Sequence, residues 1–301
     1  MTSSSAAGFL TSPGRALFTA WGGWRPSALA SWLGLGSVAS MRTAPRTCYH
    51  NNPRCSRYLF VRPRVPVSLF RRQTLGTLIL WWGWYAFNGV STLALSGGGA
   101  NIAAKVMVVT TISGAFGSVT NSIIAKVDLG YWDSGAANNG LLAGLVGITG
   151  GCSTAEPEGA MVIGIVSAFV YTYSSKLMVK LKVDDVVDAA PIHFFCGIWG
   201  VVAASLFATK DNYANVYSAE RADKCAGVFY GGDGSSLAVG VVFMLALTGW
   251  IIATCMALFL TLKATIGIRV SEEVEHIGMD DSKHGGQTFP EMVKGTVMSK
   301  W

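Results

Sequence analysis

The chain has 301 residues, 51% of them hydrophobic and 13% charged, with a mean hydropathy of +0.42. That balance excludes a soluble domain built on one core and implies a polytopic membrane protein, because most of the chain is more apolar than water tolerates. The net charge of +6 does not point to nucleic acid. Residues 1–72 hold ten arginines, no lysine and no acid, which leaves 13 basic against 17 acidic residues, or −4, for everything after them.

In chain order, residues 1–72 form an Arg-rich, acid-free leader with Ser, Pro and small residues, the composition of an organelle transit peptide. Its length, Trp21, Trp24, Trp32 and the run Arg62–Pro66 fit that poorly, so a disordered segment or a gene-model artefact stands beside it. Residues 73–268 form a transmembrane domain whose hydropathy predicts spans at 74–95, 102–125, 138–155, 159–175, 186–208 and 236–262. The third and fourth are short, and Glu156-Pro157-Glu158 between them reads as a tight surface turn. Lys176, Lys180, Lys182, Arg71 and Arg72 place one side in the cytoplasm; the 209–235 loop is then outside, and 269–301 is a cytoplasmic tail. The fold class is all-α, a polytopic membrane helix bundle.

The stretch Asp184–Gly200, DDVVDAAPIHFFCGIWG, carries the chemistry. Ionisable groups at membrane depth are costly, and each is therefore a functional candidate. His193, Gly197 and Gly200 follow at i, i+4 and i+7 on one helical face, where glycines admit a neighbouring helix or a small solute. Pro191 predicts a kink where the histidine enters. Asp185 and Asp188 near the helix start suit capping or fold-holding; His193 suits a pore or proton relay. The six cysteines are scattered with no C-x-x-C, and the His193/Cys196 pair has no second pair at ligand spacing, so no disulfide framework, metal or cofactor is expected.

Five pieces in order carry a family resemblance: Gln73-Thr-Leu-Gly-Thr with Trp82-Gly-Trp-Tyr-Ala-Phe-Asn88; Asn139-Gly-Leu-Leu-Ala-Gly-Leu-Val-Gly-Ile-Thr149; Asp184–Gly200; Gly267-Ile-Arg-Val-Ser-Glu-Glu273; and Gly278-Met-Asp-Asp-Ser-Lys-His-Gly285. Over about residues 73–287 the chain resembles the C-terminal half of ammonium transporters of the Amt/MEP type, about six of that family's eleven spans. The resemblance implies a homotrimer, usually in the plasma membrane, with ammonium or ammonia as substrate and one hydrophobic pore per subunit. The leader leaves an organelle membrane open. By position, Phe87 is similar to a ring of the phenylalanine gate and Ser91 to the hydroxyl that recruits ammonium at the outer mouth. His193 is similar to the second of twin pore histidines, and Asp185 and Asp188 to carboxylates that shape the lower pore or hold its structure. Gly278, Asp280 and His284 resemble a regulatory tail segment. The resemblance also implies a first pore histidine, a second gate phenylalanine and an outer aromatic, which this sequence lacks, and Phe194 stands where glycine commonly follows the pore histidine.

The expectation is transport by outer-site recruitment of ammonium, deprotonation and passage along a histidine-lined pore, on a chain that reads as an N-terminally truncated subunit. A different expectation is a non-conducting structural or regulatory membrane partner derived from such a transporter. An enzyme built on His193, Asp188 and Cys196 lacks a nucleophile or metal set, so none is expected.

Overall fold

The structure is a computed structural model that describes residues 67–93, 95–185, 187–271, 273–274 and 279–286. Most of the leader (1–66) and Gly278 lie outside the described residues, as does the side chain of Asp280. Among the described residues all regular structure is helical.

Helix α1 (Val67–Gly89) ends in a short 3-10 turn at Val90–Thr92, and α2 (Gly99–Leu129) returns across the bundle. Gly98 (φ 88°) and Gly130 (φ 82°) bracket α2 with left-handed conformations that a side chain would resist. Asp133 caps α3 (Ser134–Thr149), accepting from the amides of Gly135 at 3.3 Å and Ala136 at 3.1 Å. Pro157 sits in the first turn of α4 (Pro157–Lys180), where its missing N–H costs nothing. A π turn (Ala190–Phe195) leads into α5 (Cys196–Phe207). Two short helices, α6 (Lys210–Val216) and α7 (Ala219–Cys225), fold over that end of the bundle. The long α8 (Ser235–Thr265) follows, and α9 (Met279–Lys283) is a single exposed turn in the tail.

Among the described residues, four helical segments are long and apolar enough to cross a membrane: Gly99–Leu129, Pro157–Lys180, Ala190–Phe207 and Ser235–Thr265. The predicted third span differs. Helix α3 has 16 residues, and the remaining 150–155 is a buried turn rather than helix. It tolerates being short because it is enclosed, packing against α1, α2, α4 and α5 with nearly every residue from Asn138 to Thr149 buried. The fourth span is 24 residues, not short, since Pro157 starts it and Lys180 extends it. The first begins at Val67 and stops at Gly89, earlier than predicted at both ends.

Close backbone approach holds the bundle. The Ser113 carbonyl of α2 lies directly against the Cα of Gly144 on α3 and of Gly164 on α4, with no room for a Cβ on either. The Ser113 hydroxyl then donates to the Gly144 carbonyl at 2.8 Å. Water drives little association between apolar helices in lipid, so such close van der Waals contact and interhelical hydrogen bonding set the packing. Around it Val106, Val109, Ile148, Cys152, Ala160, Ile163 and Ala203 form a buried core from α2, α3, the following turn, α4 and α5.

Each end of the bundle has a polar clasp. At one, Lys105 Nζ donates to Glu156 Oε1 at 2.9 Å and to Asn212 Oδ1 at 2.7 Å, while Asn212 Nδ2 donates to the same Glu156 oxygen at 2.6 Å. This joins α2, the start of α4 and α6. At the other end Lys176 of α4 meets Asp128 of α2 at 2.6 Å. Partial burial works against ionising Glu156, but the bonds from Lys105 and Asn212 outweigh it, so its carboxyl titrates below the ordinary value.

Two outcomes follow. Gly164→Ala drives a Cβ into the Ser113 backbone and lowers stability by about 1–3 kcal/mol, whereas Gly83→Ala, inside α1 with open space at its Cα, does not lower it; thermal unfolding of the detergent-solubilised chain separates them. A depressed carboxyl pKa stabilises above its unfolded value and is lost as pH falls through the folded one. Wild type therefore loses stability on acidification below about pH 4.5 through Glu156, and Glu156→Gln removes that part of the pH dependence.

Candidate functional site

The segment Asp184–Gly200 enters the bundle through a buried carboxylate. Asp188 adopts φ 53°, a left-handed conformation that aspartate tolerates better than most residues, and only 9% of its surface is exposed. Its Oδ2 accepts from the Tyr171 hydroxyl at 2.7 Å and, more distantly, from Asn139 Nδ2 at 3.5 Å; its Oδ1 accepts from Ser175 Oγ at 3.0 Å. Asn139 Nδ2 also donates to the Tyr171 oxygen at 2.7 Å. The chain approaching α5 is thus pinned to α4 by Tyr171 and Ser175, one turn apart on the same face, and to α3 by Asn139. The sequence reading missed these three partners, although the Tyr171/Ser175 spacing beside a buried acid was the available signal.

Asp185 does the capping. Its Oδ1 accepts from the Ala189 amide at 2.8 Å and its Oδ2 from the Ala190 amide at 2.7 Å, which satisfies two of the free donors at the helix start. Both carboxylates stand at the positive end of the π turn and α5.

Pro191 acts differently from the predicted kink. It occupies the first turn of the π segment, where its missing N–H is harmless, and Pro191 and Ile192 are buried. His193 is the fourth residue of this wider turn and is partly buried. Among the described residues nothing hydrogen-bonds its imidazole. The turn is wider than α, so the i, i+4, i+7 face counted from His193 is offset from the face of α5. Gly200 serves a different contact, with its Cα close to the carbonyls of Gly147 and Val146 on α3. Phe194 and Phe195 stack edge to face at 5.2 Å beside the histidine.

Beneath the turn, Ile192 and Cys196 join Ala143, Val146 and Tyr171 in a second buried cluster, against which Trp84 of α1 packs. Trp84 Nε1 donates to Thr149 Oγ1 at 2.9 Å, and its ring lies 6.0 Å from that of Phe87. Phe87 itself is 39% exposed. Ser91, in the 3-10 turn after α1, donates its hydroxyl back to the Phe87 carbonyl at 2.5 Å. Contacts thus link the Phe87 ring to Trp84, and Trp84 to the buried cluster beneath the π turn that carries His193. The described tail residues are separate from it: His284 is exposed beside α9. Among the described residues no cluster of three or more His, Cys, Asp or Glu could hold a metal.

Comparison with known proteins gives the family and the fold. The profile of the Ammonium Transporter Family matches residues 62–289. Ammonium transporter 1 member 1 of Arabidopsis thaliana is 37% identical over 223 residues, covering 71% of this chain and 44% of that protein. Ammonium transporter Amt2 of Archaeoglobus fulgidus is 35% identical over 269 residues, covering 88% of this chain and 54% of its own length. The crystal structure of Saccharomyces cerevisiae Mep2 superimposes with a TM-score of 0.59 at 27% identity, over 66% of this chain and 43% of Mep2. A structure described as a Sensor Amt Protein shares the fold at a TM-score of 0.70, over 93% of this chain and 61% of its own. The chain spans about half the length of the curated relatives it matches.

Replacing Asp188 with alanine leaves two buried hydroxyls without their acceptor and puts alanine in a left-handed conformation. We expect a loss of about 2–4 kcal/mol for Asp188→Ala and a smaller one for Asp188→Asn, read as thermal midpoints of the solubilised protein. Equal midpoints for Asp188→Ala and wild type would show that the pin carries no stability. With its fold, its sequence profile and its relatives in agreement, this integral membrane protein belongs to the ammonium transporter family.

Proposed function

We propose that the chain moves ammonium or ammonia across a membrane, along a path that runs from Ser91 past Phe87 to His193. The observation that supports this most is the open imidazole of His193, held at membrane depth on a π turn anchored by Asp185 and Asp188. A charged ammonium ion is expensive in a dry, apolar passage, while ammonia is not. A neutral imidazole with its ring nitrogens unengaged can take or give a proton without leaving a fixed charge in the bilayer.

Each residue then has a role its geometry suits. The Ser91 hydroxyl proton is occupied by the Phe87 carbonyl, which leaves its oxygen lone pairs to accept from an ammonium N–H at the entrance. The exposed Phe87 ring offers a π face to the same cation and an apolar barrier to water. Asp185 and Asp188 act as positioning residues, fixing the turn that presents His193. The tail at Gly278, Asp280 and His284 serves regulation, the protein works as a homotrimer, and the plasma membrane is its site.

The test is flux through the chain reconstituted in liposomes, followed by internal pH after an ammonium step. Wild type conducts, and His193→Ala changes the rate or the ammonium-to-methylammonium selectivity several-fold while the protein stays inserted. Identical flux and selectivity in the two would remove His193 from the path. Absence of flux in wild type would overturn conduction by this chain.

A further inference from the structure

We propose that the cavity between α5, α7 and α8 binds an anionic phospholipid from the leaflet that meets the 208–234 loop. Its phosphate sits at Arg221 and Lys224, and its first acyl carbons lie against Val201, Gly240 and Phe243. The cavity has a volume of about 200 Å³. Its lining residues include Arg221, Lys224 and Cys225, and no Asp or Glu.

Among the described residues neither Arg221 nor Lys224 forms an ion pair; Asp223, on the same helix, is taken by Lys210. Asp233 is near Lys224, but its carboxylate accepts from the Ser235 amide at 2.9 Å and the Ser235 hydroxyl at 2.6 Å. Two exposed cations over an apolar floor suit one anionic head with a hydrocarbon tail, and Arg in particular matches a phosphate in a forked geometry.

Depth favours a lipid over a solute from water. Phe243 lies eight residues into α8, about 12 Å below the helix start at the helical rise. Val201 lies six residues above the end of α5, about 9 Å along that helix. The floor therefore reaches the hydrocarbon layer while the cations remain at the headgroup level. The volume admits several methylenes but not a whole chain, since about 150 Å³ already accommodates a benzene ring. The remainder would lie along α8, whose apolar side chains, including Val242, Leu245 and Trp250, are exposed. At the cavity floor, Gly240 leaves the space by approaching Val201 with no side chain of its own. This inference does not depend on the chain conducting ammonium.

Cys225 reports occupancy. The full chain is placed in nanodiscs of phosphatidylcholine alone or with added phosphatidylglycerol, and alkylation of Cys225 by a water-soluble maleimide is followed by peptide mass. Phosphatidylglycerol is expected to slow labelling several-fold and to remain bound in native mass spectra. Arg221→Gln with Lys224→Gln abolishes both effects, and Gly240→Leu, which fills the floor, weakens retention while the cations remain. Equal labelling in the two bilayers, or retention that the double variant does not reduce, would overturn the site. Protection by hexyl phosphate in pure phosphatidylcholine, with none from phosphatidylglycerol, would replace the lipid with a soluble anion and overturn the proposal as stated.

Discussion

The bundle depends on one crossing of three backbones. Where the Ser113 carbonyl passes between Gly144 and Gly164, α2, α3 and α4 come as close as helices can, and no side chain separates them. In water, a larger apolar residue at such a crossing could be offset by the area it buries elsewhere. In lipid that gain is small, because the surrounding chains are as apolar as the side chain, and the fit of backbone to backbone decides the arrangement. The rest follows. With α3 enclosed, its polar residues Asn138 and Asn139 must find partners inside the protein, Asn138 on Thr74 of α1 and Asn139 on Tyr171 of α4. Those partners in turn fix where the Asp184–Gly200 segment can attach.

The two carboxylates of that segment divide the work. Asp185 closes the open end of a helix with two amide bonds, a local task that any good cap performs. Asp188 reaches across to other helices and ties the segment to the bundle through hydroxyl and amide groups. A carboxylate can accept from several donors at once, and this one is buried among groups that would otherwise lack an acceptor. Positioning of His193 is thus inherited from contacts made five and eight residues earlier in the chain.

Much of this was legible in the sequence. The long apolar runs, the turn at Glu156-Pro157 and the importance of Asp184–Gly200 follow from composition, proline and charge, which act locally. Span ends were less legible. Helix α3 stops at Thr149 because its surroundings, not its own residues, allow the following turn to be buried. The π turn escaped entirely, since its extra residue is invisible to a count made at α spacing, and that count put His193 and Gly200 on one face. Ser91 shows a third limit. A serine near a helix end can face a solute or bond back to its own turn, and the hydroxyl here does the second while keeping its lone pairs for the first.

The π turn has a consequence for how this region tolerates change in length. A π turn holds about one residue more than an α turn, so it is an insertion already accommodated within a helix. Removing one residue between Ala190 and Phe195 could be absorbed by tightening to α geometry, with everything from Cys196 onward kept in register. The same deletion a turn later, inside α5, would rotate all subsequent residues by about 100° and carry Gly200 away from its contact with Gly147. The short stretch that presents the histidine is therefore also the place in this helix where chain length can vary without unseating the bundle.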